Sequence, residues 1–145
     1  MDFEYALQIL MALIPLCITV VLHGLGMGVV RRVFKRFGLP MLEVKAHAAA
    51  RSVLMVGIVA IMLVTHFAEV IVWAVFYLQA GMIASVREAM FYSMEYYTTL
   101  AINVHSLPGQ WAGFGGFEAM TGMLMFGWST AVLAAVVQRT HSIEQ

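Results

Sequence analysis

The sequence predicts an all-α integral membrane protein: three transmembrane helices, with a re-entrant half-helix and an extended loop between the second and third. Three observations predict it. The 145 residues are 62% hydrophobic and 11% charged, against about 45–50% and about 25% for a soluble domain. Three stretches each supply the roughly 20 apolar residues that a span needs. A further stretch, residues 81–113, is too apolar for a solvated loop and too interrupted to cross. A soluble globule of this composition would expose apolar patches too large to stay in solution. Eight basic and eight acidic residues leave no net charge to draw nucleic acid. The single cysteine, Cys17, lies in an apolar run, which excludes a disulfide framework, a CxxC motif and a zinc knuckle.

Residues 1–30 form an N-terminal transmembrane helix, apolar from Tyr5 to Val30. Its acidic leader (Asp2, Glu4), long core and lack of a small-residue cleavage site separate it from a secretory signal. Pro15 predicts a kink. Residues 31–51 form a basic loop that turns at Phe37-Gly38-Leu39-Pro40, with Met41 to Ala50 an interfacial helix or an early start of the next span. Residues 52–138 hold the rest: a helix over 52–80, a half-helix over 86–98, an extended segment over 98–104 and a helix over 114–138. Arg31, Arg32, Lys35, Arg36, Lys45, Arg51 and Arg139 share one side of the membrane, and only Arg87 is opposite. The positive-inside rule places that side in the cytoplasm with the C-terminus, and the N-terminus outside.

The half-helix starts at Ser85-Val86-Arg87-Glu88, which fits a capping box. Helix-compatible sequence continues to Tyr97, roughly 20 Å of rise, enough to enter a bilayer and not to cross it. Thr98 to Asn103 has no helical pattern, and Ser106-Leu107-Pro108-Gly109 signals a turn. Backbone of this kind survives at membrane depth only when buried in protein or lining water. The half-helix carries about half a negative charge at its C-terminus, which favours a cation there. One such loop cannot enclose an axis, so several copies must assemble.

Tyr92-Ser93-Met94-Glu95-Tyr96-Tyr97-Thr98-Thr99-Leu100, then Pro108 and Trp111, then Gly122 with Met125-Phe126-Gly127-Trp128-Ser129-Thr130-Ala131, resemble the pore domain of bacterial-type potassium channels of the two-transmembrane pore-loop family. The resemblance covers about Phe67 to Gln138. It implies an outer helix (52–80), a pore helix (86–98), a filter-like segment (98–104) and an inner helix (114–138). It also implies a homotetramer in the bacterial inner membrane that passes cations passively; the sequence holds no nucleophile–base pair or metal motif with the right spacing, so no enzyme is expected. Thr98, Thr99, Leu100, Ala101, Ile102 and Asn103 would line the pore, and Gly122 and Gly127 would be gating hinges or close-packing positions. The family filter reads Thr-x-Gly-Tyr/Phe-Gly-Asp, whereas this chain has Ala101, Ile102, Asn103 and Val104 after Leu100. Alanine costs about 1–2 kcal/mol in the left-handed conformation that the family glycines adopt. The outer carbonyl rings that replace the water around K⁺ are therefore not built in the usual way. The expectation is a monovalent cation such as K⁺, weak selectivity, and no cofactor or resident metal. Asn103 and His105 become polar rings and Ile102 an apolar plug.

The ionisable residues within the spans each carry a structural and a functional reading. His66 and Glu69, spaced i, i+3, lie about 22 and 27 Å along the helix from Arg51, and Glu118 lies about 31 Å from Arg139. The bland reading makes them a clamp holding the pore helix to the outer and inner helices; the sharper one makes them ion ligands. Glu95 loses the acidic partner that the family supplies, because Val104 stands there. His23, in His23-Gly24-Leu25-Gly26-Met27-Gly28, reads as a packing seam with an interhelical hydrogen bond, or as a proton sensor. Trp73 and Tyr77 read as interfacial anchors, and Met120 to Met125 as adaptable packing. Expected partners are membrane lipid, including anionic lipid at Arg31, Arg32, Lys35 and Arg36, copies of the same chain and the permeating cation, with no nucleic acid. Two other functions fit the sequence: a non-conducting channel-like scaffold or accessory subunit, and a small proton- or metal-coupled transporter using His66, Glu69 and Glu118.

Overall fold

The computed structural model describes residues 3–43, 48–100, 107 and 109–141. Its helices are α1 (Phe3–Val33), α2 (Leu39–Glu43), α3 (Ala48–Gln79), α4 (Val86–Tyr97) and α5 (Gly115–His141). A π turn over Phe34–Gly38 joins α1 to α2, and a 3-10 turn over Gly109–Trp111 precedes α5. Three helical stretches, Tyr5–Met41, Ala49–Gln79 and Gly109–Thr140, are long and apolar enough to cross a membrane. Pro15 lies inside α1.

The loop turn expected at Phe37-Gly38-Leu39-Pro40 is not formed; the chain stays helical from Phe3 to Glu43. A proline has no N–H for the carbonyl four residues back, and its ring crowds that carbonyl. The π turn answers this by widening the helix just ahead of Pro40, so that the Leu39 N–H bonds the Phe34 carbonyl. The basic residues Arg31, Arg32, Lys35 and Arg36 therefore extend from a helix rather than from a loop.

Apolar residues at helical spacing build two cores at opposite ends of the bundle. Met27, Val30, Phe34, Ile58, Met62 and Val136 pack at the end that carries the basic residues. Ala12, Val70, Trp73, Tyr77, Tyr92, Leu107, Phe114 and Met125 belong to the core at the α4 end. Between them α1 and α3 approach closely at Gly26, where an added Cβ would collide with the Thr65 side chain. The lipid-type residues Leu10, Val21, Leu25, Val53, Leu63, Val64 and Leu124 remain exposed on the long helices.

Trp73 and Tyr77 differ from the expectation of interfacial anchors, because both are fully buried. Tyr92 of α4 meets the Tyr77 ring edge-on at 4.9 Å, and Phe114, just before α5, meets Trp73 at 6.4 Å. The fold-back of α4 and the approach to α5 cover an α3 face that a simple hairpin would leave at the interface.

Candidate functional site

α4 starts and stops where its own sequence dictates. The Ser85 hydroxyl accepts the Glu88 N–H at 3.5 Å, the first half of the capping box. Tyr97 is the last helical residue, one short of the expected 98, and Thr98 is the C-cap. The Leu100 N–H bonds the Glu95 carbonyl at 2.9 Å and the Thr99 N–H bonds the Tyr96 carbonyl at 3.0 Å. This pair is a Schellman ending, whose left-handed position is normally glycine. Thr99 occupies it at φ +60°, a strained conformation for a β-branched side chain. The Thr98 hydroxyl adds a bond of 2.6 Å to the Met94 carbonyl. Thr98, Thr99 and Leu100 are all exposed on the single chain.

The descent of α4 is fixed by two buried polar clusters, one per turn of its inner face. The single Ser93 hydroxyl hydrogen is shared between the Val70 carbonyl of α3, at 2.9 Å, and the Glu118 carboxyl group of α5. Tyr77 of α3 donates to the other Glu118 oxygen at 2.7 Å. Ser93 and Glu118 are wholly buried, so these bonds replace the water the carboxylate has lost.

One turn further, Tyr97 meets His66 and Glu69 of α3. The Tyr97 hydroxyl donates to Glu69 and lies 2.9 Å from His66 Nδ1. His23 of α1 places Nδ1 2.8 Å from Glu69 Oε1. Ser129 of α5 lies 3.0 Å from His66 Nε2 and 3.4 Å from His23 Nε2. Trp128 and Phe126 wall the two imidazoles at ring distances of 5.1 and 4.5 Å. Four helices thus meet through five side chains in the layer between the two apolar cores. The ligating atoms of His23, His66 and Glu69 lie within 4.8 Å of one another. Each of these groups is already engaged in hydrogen bonds, and the arrangement is that of a hydrogen-bonded cluster.

The other expected site residues fall as follows. Glu95 is half-buried and lines a cavity of about 360 Å³ with His66, Tyr97, Thr98, Leu100 and Phe126. Gly122 is a close-packing position: an added Cβ would collide with the Tyr97 carbonyl. Gly127 has open space at its Cβ position. Ala101, Ile102 and Asn103, with Val104 and His105, lie outside the described residues. His66 and Glu69 are brought together, whereas Glu118 is bonded in the separate Tyr77–Ser93 cluster. At the opposite end, Arg31, Lys35 and Arg139 converge on a groove of about 230 Å³ walled by Phe34, Val132 and Val136.

Reading the ionisable residues alone misses two participants, Tyr97 and Ser129. A signal for Tyr97 exists, because Ser93 and Tyr97 are spaced i, i+4 on one face of α4. No comparable signal marks Ser129 among the hydroxyl residues of α5. No family model matches the chain, and neither a curated protein nor a solved structure is similar to it.

Proposed function

We propose that this chain is one subunit of a potassium-channel-like passive cation channel, assembled as a homotetramer around a shared aqueous path. The observation that carries the reading is the course of the chain through α4. It leaves the end of α3, runs back along that helix to the level of His66, and stops with Thr98, Thr99 and Leu100 exposed. By Leu107 it is again in the aromatic core at the end where it started. Lipid cannot solvate an exposed helix terminus at that depth, so water and neighbouring copies must. The partial negative charge at each α4 C-terminus favours a cation at the axis. Ala101, Ile102 and Asn103 in place of the family filter make the selectivity for K⁺ over Na⁺ weak. Anionic lipid in the groove of Arg31, Lys35 and Arg139 suits a placement of that end at the inner leaflet.

The transporter reading has less support, since a relay of His66, Glu69 and Glu118 would have to run through two separately bonded clusters. The test is tracer flux into liposomes reconstituted with the full chain. The expected result is non-saturating K⁺ and Na⁺ flux, within about tenfold of each other, that falls about tenfold or more in Thr98→Val/Thr99→Val. Absence of flux from a correctly assembled oligomer would overturn conduction and favour the scaffold reading. Saturable, pH-coupled uptake that is lost in Glu69→Gln would favour the transporter.

A further inference from the structure

The polar cluster between the two apolar cores closes on itself. In order around it, His23 Nδ1 meets Glu69 Oε1, Glu69 Oε2 meets the Tyr97 hydroxyl, and that hydroxyl meets His66 Nδ1. His66 Nε2 then meets the Ser129 hydroxyl, and the Ser129 hydroxyl meets His23 Nε2. The ring has five contacts, four of 3.0 Å or less and a fifth of 3.4 Å between Ser129 and His23, and filling all five takes five hydrogens. Ordinary protonation states supply four: one on each neutral imidazole, one on Tyr97 and one on Ser129, with Glu69 ionised and contributing none. Four hydrogens serve the four shorter contacts and leave the 3.4 Å edge between Ser129 and His23 without one. That state also leaves an unneutralised negative charge in a layer where Glu69 and His23 are wholly buried.

We propose that this ring is a binding site for one proton beyond that set. With it, every contact holds a hydrogen and the ring is neutral. The proton resides on an imidazole, giving an imidazolium paired with the Glu69 carboxylate, or on Glu69 itself. Ser129 then accepts from one imidazole and donates to the other. The longest contact, 3.4 Å between Ser129 and His23, is the edge that opens first when the proton leaves. Because Tyr97 ends α4 and directly precedes Thr98 and Thr99, the proton secures the exposed end of that helix.

The ionisable groups facing the ring are few among the described residues. α1 contributes His23 and α3 contributes His66 and Glu69. α4 contributes Tyr97, with Glu95 on the cavity beside His66. From α5, Glu118 acts on Tyr97 electrostatically, while Ser129 and Trp128 are uncharged. The proton site is the same whether or not the chain conducts.

The test uses full-length protein in lipid vesicles, with nitrogen NMR of labelled histidines and infrared detection of protonated carboxyl groups, assigned by His23→Gln, His66→Gln and Glu69→Gln. At neutral pH, either one imidazolium among His23 and His66 or a protonated Glu69 is expected. Two singly protonated imidazoles with an ionised Glu69 would overturn the proposal. As the pH is raised and that signal disappears, the protection of the Thr98 to Leu100 amides, corrected for the base catalysis of free-peptide exchange, is expected to fall about tenfold. In Glu69→Gln a permanent amide hydrogen replaces the titrating one, so the corrected protection should not respond to pH. An equal pH response in that variant would also overturn it.

Discussion

The hydroxyl of Tyr97, the last residue of α4, donates to the carboxylate of Glu69 in the second half of α3. Through this bond the end of the half-helix is held at a fixed level along the long helix. Tyr97→Phe leaves both the Glu69 oxygen and His66 Nδ1 short of a partner in a buried layer. The expected loss is about 2–4 kcal/mol, read as a lower unfolding midpoint in detergent.

A turn earlier on α4, Ser93 makes the corresponding tie between the Val70 carbonyl and Glu118. Ser93→Ala should destabilise by about 1–3 kcal/mol, because Glu118 keeps its Tyr77 bond while it and the Val70 carbonyl both lose their contact with the Ser93 hydroxyl. In a double variant with Glu118→Leu, which cannot bond Ser93, the two losses should sum to more than the measured total, since the residues share one bond. Equal sums would mean that the Ser93–Glu118 contact contributes nothing.

Gly122 and Gly127 lie on the same helix and predict opposite outcomes. A Cβ at position 122 meets the Tyr97 carbonyl, whereas at position 127 it meets open space. Gly122→Ala should cost about 1–3 kcal/mol by pushing α5 away from the end of α4. Gly127→Ala should stabilise the isolated helix by about 0.5–1 kcal/mol. Thermal unfolding of the two variants side by side checks this. A change in flux confined to Gly127→Ala would place its function in gating or in contacts between copies.

Thr99 holds a conformation that glycine adopts without strain. Thr99→Gly should therefore tighten the Schellman ending by about 1 kcal/mol, measured as slower amide exchange at Leu100. If the Thr99 hydroxyl also contributes to the ion path, flux should fall in the same variant that gains stability.

Composition and run length by themselves determined the three long apolar helices, because the roughly 20-residue requirement of a bilayer acts on the sequence directly. Local chemistry likewise determined α4: Ser85 with Glu88 begins it, and the loss of helical pattern after Tyr97 ends it. The turn signal at Phe37 to Pro40 was overruled, since a single π turn absorbs the missing N–H of Pro40 and the helix continues. Only the tertiary structure decided which buried polar groups share a cluster. His23, Glu69, Tyr97 and Ser129 come from four helices, and no sequence spacing relates them. Likewise, Glu118 stands apart from His66 and Glu69 because hydrogen bonding requires contact within about 3 Å, and depth along separate helices does not specify their rotation.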